Sequence, residues 1–143
     1  MRSIALITKE PQTYDSKSFL KAVSEASNSP VIIDYSKDSA YDDLVARAPQ
    51  ALIVRHTPVY LDKVIRLVKK AEEMGITVSA SAESIRLAND KARVAETMAK
   101  HDISMPYTIT LDKPDQFISE VTSNFSDKVV LKPVSGSLGR DIH

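Results

Sequence analysis

The sequence predicts an α/β fold in two parts: a small open parallel sheet in residues 1–88, then a smaller α+β unit in residues 89–143 that is incomplete at its C-terminal end. Two observations carry this prediction. Over about the first eighty residues, short apolar runs alternate with longer segments whose apolar residues recur every three or four positions, as in strands separated by helices. Beyond that point the alternation stops, and short helical segments, an extended stretch and a final apolar run follow.

The strands of the sheet are predicted from four short runs of apolar residues. Such runs, bounded by polar or helical segments, are typical of buried strands. The intervening segments are long enough for helices that cross over from one parallel strand to the next. The four runs are residues 3–8, 30–35, 51–55 and 76–79.

The helices between these strands are predicted from apolar stripes and from residues that begin or end helices. Asp15 or Ser16 is expected to cap the first helix, because a short polar side chain accepts a hydrogen bond from the first turn. Pro49 is expected to end the second helix. Gly75 is expected to follow the third, where glycine readily takes a left-handed conformation. The three helices are predicted at residues 16–26, 41–48 and 58–74.

After residue 80, three short helices and one strand are predicted. Asp90 is expected to cap the second of these helices, and Asp112 the third. The helices are predicted at residues 81–88, 90–100 and 113–124, an extended stretch at 104–111, and the strand at 128–133. The third helix is expected to bury Phe117, Ile118, Val121 and Phe125.

Composition and charge narrow the class of protein. The chain has 143 residues, 43% of them hydrophobic and 27% charged, so it is expected to fold around a core. Nineteen basic residues balance nineteen acidic ones, which argues against binding nucleic acid or an anionic membrane surface. The absence of cysteine excludes disulfides and thiolate sites and fits a cytoplasmic location. No apolar run reaches the roughly 18 residues that span a membrane.

A glycine-containing loop near the end of the chain is the first candidate site. Only three glycines occur in the sequence, and two of them, Gly136 and Gly139, lie three residues apart after an apolar run. A strand that opens into a Ser/Gly turn places backbone N–H groups where they can hold a phosphate. The same spacing also makes a plain hairpin turn, and both interpretations stay open at this point. Arg140 follows the second glycine and is a candidate to close over the same anion.

Lys132 and Lys91 are further candidates for anion contacts. Lys132 lies between Val130 and Val134 on one face of the predicted strand, where a lysine is costly unless it meets an anion or the face is open to solvent. Lys91 follows Asp90 at a helix start, where a cation opposes the helix dipole. Either lysine can equally be an ordinary exposed side chain.

Arg55 is the candidate for a substrate contact in the first part. It follows the third predicted strand, and ligands of open α/β sheets bind at the carboxyl ends of the strands. Arg55 is therefore a candidate to receive a substrate carboxylate, with His56 as its neighbour or as a base. The alternative is a solvated pair of loop residues. No acidic and asparagine cluster suited to magnesium is found in the sequence, so no metal ligand is assigned.

Three motifs taken in order resemble a known family. Asn89-Asp90-Lys91 opens a helix, an extended stretch follows at residues 103–108, and Val130-Leu131-Lys132-Pro133 leads into the glycine loop. Together they resemble the N-terminal half of ATP-grasp ligases, and most of all the branch of the ribosomal protein glutamate ligases and related amino-acid-adding enzymes. The resemblance covers residues 75–143 well, and residues 1–74 only in architecture.

The resemblance implies roles for both parts of the chain. Residues 1–88 resemble a pre-ATP-grasp domain, and residues 89–143 a truncated first ATP-grasp subdomain. Lys91 and Lys132 resemble the two lysines that contact the phosphates of ATP. The loop that folds over those phosphates would comprise Ser135, Gly136, Ser137, Leu138 and Gly139, with Arg140 as a catalytic residue. Asp141 departs from the family pattern, which often has glycine there. ATP and magnesium are the implied cofactors, with the magnesium ligands expected outside this chain.

The function implied is a carboxylate–amine ligase that forms an amide or peptide bond through an acyl phosphate. Its substrates would be a carboxylate, either a small molecule or a protein C-terminus, and an amine; a homo-oligomer is left open. The 143-residue chain alone is expected to be inactive, as a fragment. The alternative is a non-catalytic scaffold or interaction module derived from an ATP-grasp protein.

Overall fold

The computed structural model describes residues 2–26, 28–55, 60–111, 113–125 and 128–135. The chain divides into two compact units, unit 1 (Met1–Arg86) and unit 2 (Leu87–His143). The roles predicted for residues 1–88 and 89–143 stay predictions. Among the described residues, no helix is both long and apolar enough to cross a membrane.

Unit 1 is built on a four-stranded parallel sheet, as predicted. The strand order is β2-β1-β3-β4, so the first strand lies inside the sheet and the chain moves outward from it in both directions. Ile4 lies opposite Pro30 on one side and Ala51 on the other. The strands are β1 (Ser3–Ile7), β2 (Ser29–Ile33), β3 (Ala51–Val54) and β4 (Thr77–Val78), each inside or close to a predicted run.

The helices of unit 1 cover both faces of this sheet. They are α1 (Tyr14–Glu25), α2 (Ala40–Arg47), α3 (Leu61–Glu73) and α4 (Ala82–Ala88), and the last two residues of α4 belong to unit 2. Parallel crossovers are right-handed, so the reversal of direction after β2 places α1 on one face and both α2 and α3 on the other. The contacts between α2 and α3 agree with this arrangement. The fold is therefore α/β, as the sequence predicts.

The main hydrophobic core lies on the α2–α3 face of the sheet. Residues of β1 alternate: Ala5 and Ile7 belong to this core, whereas the buried Leu6 does not. Leu52 of β3 and Val64 and Val68 of α3 are fully buried in the same core. These contacts hold the strands in register, because a shift by one residue would turn the core side chains to the wrong face.

The start of α1 differs from the prediction. Thr13 is the N-cap, in an extended conformation, and its hydroxyl accepts a hydrogen bond from the Ser16 N–H at 3.4 Å. Asp15 and Ser16, the predicted caps, lie inside the first turn. Ser16 is fully buried and its hydroxyl donates to the carbonyl of Glu10 at 2.8 Å. The predicted cap was wrong because the loop before the helix offers the Ser16 hydroxyl an acceptor, the Glu10 carbonyl.

The ends of α2 and α3 follow the predicted stop signals. Ala48 takes a left-handed conformation with φ of 36° directly after α2, and the buried Pro49 follows it. Gly75 has φ of 72° just after α3, and its N–H donates to the carbonyl of Glu72 at 3.0 Å. This confirms that Gly75 terminates the helix. Pro58, predicted as the start of that helix, lies outside the described residues.

Unit 2 holds α5 (Lys91–Lys100), a 3₁₀ turn (Pro114–Gln116) and α6 (Phe117–Asn124). Asp90 caps α5 as predicted, since its carboxylate accepts a hydrogen bond from the Arg93 N–H at 3.0 Å. Asp112, predicted to cap α6, lies outside the described residues. The prediction that this helix buries four side chains was wrong: Ile118 is 75% exposed, and Phe117, Val121 and Phe125 are only half-buried. Phe125 instead packs against Tyr107, with ring centroids 5.3 Å apart.

The strand predicted at residues 128–133 is not formed. This stretch makes no ladder with any described strand, and Val130 is 65% exposed and Val134 43% exposed. A strand needs a neighbour for its backbone N–H and C=O groups, and none of the residues described in unit 2 offers one. Of the two interpretations of Lys132, the solvent-open one agrees with this exposure.

Candidate functional site

Arg55 lies at the point of the sheet where the strand order reverses. It follows β3, and its N–H donates to the carbonyl of Ile7 at 3.1 Å, which extends the pairing of β1 with β3 by one residue. The carboxyl ends of the two strands on either side of such a reversal form the crevice where open α/β sheets bind ligands. The backbone position of Arg55 is therefore the one that the sequence indicated. His56 lies outside the described residues.

The guanidinium of Arg55 is held by the loop between β1 and α1. Its Nη2 lies 3.2 Å from Asp15 Oδ2, and its Nη1 lies 3.7 Å from Glu10 Oε2. The same Nη1 donates to Thr13 Oγ1 at 3.4 Å. Two carboxylates thus face one guanidinium in an exposed setting, where ion pairs contribute little to stability. A substrate carboxylate at Arg55 would have to displace these two acids.

The β1–α1 loop that supplies these acids is fixed by hydroxyl groups. Thr8, which is buried, accepts a hydrogen bond from the Glu10 N–H at 3.0 Å. The buried Ser16 donates to the Glu10 carbonyl, as described above. Glu10, Thr13 and Asp15 were not predicted as site residues. The sequence carried part of the signal, because a parallel sheet brings the chain after β1 and the chain after β3 to the same edge. That β1 and β3 are neighbours is seen only in the structure.

Serine side chains organise the neighbouring part of this edge. Ser79 follows β4, and its hydroxyl accepts a hydrogen bond from the Val54 N–H at 3.0 Å. Ser81 accepts from the Ser84 N–H at 3.0 Å, which is the bond of a helix cap at the start of α4. The hydroxyl groups of Ser79 and Ser81 therefore stabilise the ends of a strand and a helix.

Unit 2 brings two of the predicted phosphate-contacting segments together. The N–H of Lys91, the first residue of α5, donates to the carbonyl of Val134 at 2.9 Å. Lys132 and Ser135 lie within two residues of Val134, so the stretch that carries them begins beside the start of α5. Both are exposed. Gly136, Ser137, Leu138, Gly139 and Arg140, the predicted loop, lie outside the described residues.

The donors present in unit 2 fit a polyanion better than a metal ion. Lys91 and Lys132 are cations on two segments joined by a hydrogen bond, and the hydroxyl of Ser135 is close along the chain. The described residues contain no group of three or more His, Asp or Glu side chains that could hold a metal ion. The side chains of Lys91, Lys132 and Ser135 are therefore compatible with the phosphates of ATP. They include no carboxylate that could bind magnesium.

Comparison with solved structures identifies the architecture. No protein-family model matches the chain, and no curated protein matches its sequence. The structure is similar to that of N5-carboxyaminoimidazole ribonucleotide synthetase from Thermotoga maritima, with a TM-score of 0.72 and 16% sequence identity. The match covers 95% of this chain and 40% of that enzyme, which is an ATP-grasp ligase. The chain has the fold of part of an ATP-grasp ligase.

This likeness confirms the predicted α/β fold. It does not support the branch of ribosomal protein glutamate ligases that the motifs suggested. The three motifs are short, so they carry little information about the branch. The chain spans less than half the length of the enzyme that it matches.

Proposed function

We propose that this chain is part of an ATP-dependent carboxylate–amine ligase. The observation that carries the proposal is the hydrogen bond from the Lys91 N–H to the Val134 carbonyl at 2.9 Å, which joins the two segments bearing Lys91 and Lys132. The similarity to an ATP-grasp enzyme supports the same conclusion. A cytoplasmic location belongs to the proposal and is supported by the cysteine-free sequence.

The proposed reaction has two steps. In the first, a carboxylate oxygen of one substrate takes the γ-phosphoryl group of ATP, giving an acyl phosphate and ADP. In the second, an amine nitrogen attacks the acyl carbon, the C–O bond to phosphate breaks, and the nitrogen loses a proton as the amide forms. The carboxylate is a small molecule or a protein C-terminus in this proposal.

The residues of this chain would act by charge and position. Lys91 and Lys132 would contact the phosphate oxygens of ATP and offset the negative charge on the transferred group. Ser135 and the loop from Gly136 to Gly139 would add hydrogen-bond donors, and Arg140 would close over the same phosphate. Magnesium would neutralise phosphate charge, with ligands from outside this chain. Arg55 would orient the substrate carboxylate at the carboxyl edge of the sheet.

The test is calorimetric titration of ATP into the complete protein, including any residues that lie beyond this chain. Lys132→Ala should weaken ATP binding by about 1–3 kcal/mol, the usual cost of losing a charged hydrogen bond. Lys128→Ala, which removes the same charge from an exposed position on the same segment, is the matched control and should have little effect.

A second pair of variants tests the helix start. Lys91→Ala should weaken ATP binding in the same direction as Lys132→Ala but less, because a side chain on the first turn can adjust its position. Lys100→Ala, at the opposite end of α5, is its control. If both test variants bind ATP as tightly as their controls, the loop is only a turn. The scaffold or interaction module then becomes the better interpretation.

A further inference from the structure

A hollow on the α2–α3 face of unit 1 is not used by the proposed function. It lies where the chain leaves β2 and enters α2, against the first half of α3, and it has a volume of about 170 Å³. Its floor is apolar and buried: Tyr35 is 1% exposed, Ala40 4% and Leu67 3%. A floor of this kind can take the organic part of a small molecule, while polar groups at the rim fix its orientation.

The rim of this hollow carries an excess of positive charge. Lys37, Lys63 and Arg66 line it, against a single carboxylate, that of Asp38. Lys63 pairs with Asp38 at 3.2 Å, but the Asp38 side chain is fully exposed, so a bound anion can replace it at low cost. The side chains of Lys37 and Arg66 make no ion pair with any residue in the described ranges. Two cations at the rim are therefore available to a ligand.

Arg66 also lines a second hollow next to the first. That space, of about 270 Å³, is also lined by Lys69, Lys70 and Glu73 of α3, and Tyr41 is a wall of both hollows. Lys70 pairs with Glu73 at 3.3 Å. Lys63, Arg66 and Lys70 are three and four residues apart, so they lie along one side of the helix. Lys63 and Lys70 each pair with a carboxylate, so Arg66 is the one of the three that has no ion pair with a described residue. The guanidinium in the middle can donate two parallel hydrogen bonds to one phosphate group.

We propose that the α2–α3 hollow is a binding site for a small phosphate monoester. Three cations and one carboxylate leave an excess of two positive charges, which matches the dianion that a phosphate monoester carries above its second pKa of about 6. The organic part of the ester would lie against the ring of Tyr41, which is 41% exposed, above the floor formed by Tyr35, Ala40 and Leu67. The phosphate would lie between Lys37 and Arg66. The proposal does not depend on whether the chain belongs to a ligase.

The test is a titration of the full chain with phenyl phosphate at about pH 8 and near-physiological salt. Binding is monitored by the backbone amide chemical shifts in NMR spectra. We expect saturable shifts at Ala40, Tyr41 and Leu67. Arg66→Ala should weaken binding about tenfold or more, the scale of a lost charged hydrogen bond. Lys17→Ala, an exposed lysine on α1 across the sheet, removes the same charge and should change the affinity less than about twofold.

A second ligand and a substitute variant complete the test. Inorganic phosphate should bind at least about tenfold more weakly than phenyl phosphate, because it leaves the apolar floor uncovered. If Arg66→Ala changes the fold, as seen by circular dichroism, Arg66→Gln replaces it. The proposal is overturned if Lys17→Ala weakens binding as much as the Arg66 variant. It is also overturned if both ligands bind equally, or if the shifts map away from the hollow.

Discussion

The ion pair between Arg55 and Asp15 decides whether Arg55 can serve a substrate. The two charged groups are 3.2 Å apart, with 39% of the Arg55 side chain and 70% of the Asp15 side chain exposed. In a water-like medium, two unit charges at that separation attract by about 1.3 kcal/mol. Salt and the ordering of both side chains reduce this further, so we expect a coupling energy of roughly 0.5 kcal/mol.

A double-mutant cycle with Arg55→Ala and Asp15→Ala measures this coupling. Each single change also alters other interactions, such as that of Asp15 with the helix dipole of α1, and the cycle removes those contributions. Urea unfolding monitored by tyrosine fluorescence is a suitable assay. Four of the five tyrosines of the sequence lie in unit 1, so the signal reports mainly on that unit.

The control is the pair Lys21 and Glu25, which lies on the exposed surface of α1 at 3.7 Å with the i,i+4 spacing. A cycle on that pair should give about 0.3–0.5 kcal/mol. A coupling above about 2 kcal/mol for Arg55 and Asp15 would refute the reasoning. Arg55 would then be a fixed part of the loop structure, and it would not be free to receive a carboxylate.

Three further predictions concern the fold of unit 1. Leu52→Ala should destabilise the chain by about 2–5 kcal/mol, because it opens a cavity at a fully buried position; urea unfolding measures this. Gly75→Ala should cost about 1 kcal/mol in the same assay, because φ is 72° there, although a Cβ would meet no atom within 4 Å. The pKa of Lys70 is raised above 10.5, first by its hydrogen bond to Glu73, and Glu73→Gln should lower it in an NMR titration.

Each of these predictions has a result that would contradict it. A loss below about 1 kcal/mol for Leu52→Ala would mean that the core collapses around the cavity. Equal stability of Gly75→Ala and wild type would show that the turn after α3 relaxes. For Lys70, the raised folded pKa means that its contribution is present below pH 10.5 and is lost as the pH rises through the folded value. A pKa unchanged by Glu73→Gln would assign the shift to Tyr41 instead.

The sheet was predictable from the sequence because its signals are local. The runs that became β1 to β4 are apolar and short, and Gly75 marks the end of α3 by its own backbone preference. The cap of α1 was not predictable in the same way. Thr13, Asp15 and Ser16 are all residue types that cap helices, and the choice depends on the carbonyl that Glu10 offers to the Ser16 hydroxyl.

The candidate site was predictable only in part, because its contacts join distant parts of the chain. Arg55 and Asp90 could be placed from strand and helix signals alone. Glu10 and Asp15 face Arg55 because β1 and β3 are neighbours, which local periodicity does not reveal. The Val134 carbonyl accepts a hydrogen bond from the Lys91 N–H, although more than forty residues separate the two in the sequence. The apolar pattern of residues 128–133 indicated a strand, but a strand forms only where another strand pairs with it.

The hydrogen bond from the Lys91 N–H to the Val134 carbonyl couples the position of residues 132–135 to the stability of the first turn of α5. The first N–H groups of a helix have no acceptor within it, and this one is satisfied by a residue from elsewhere in unit 2. If residues 132–135 move away, that donor must turn to water and the first turn of α5 loosens. By linkage, a ligand that holds those residues in place also stabilises the helix. The exchange rate of the Lys91 amide proton therefore reports on the segment that carries Lys132.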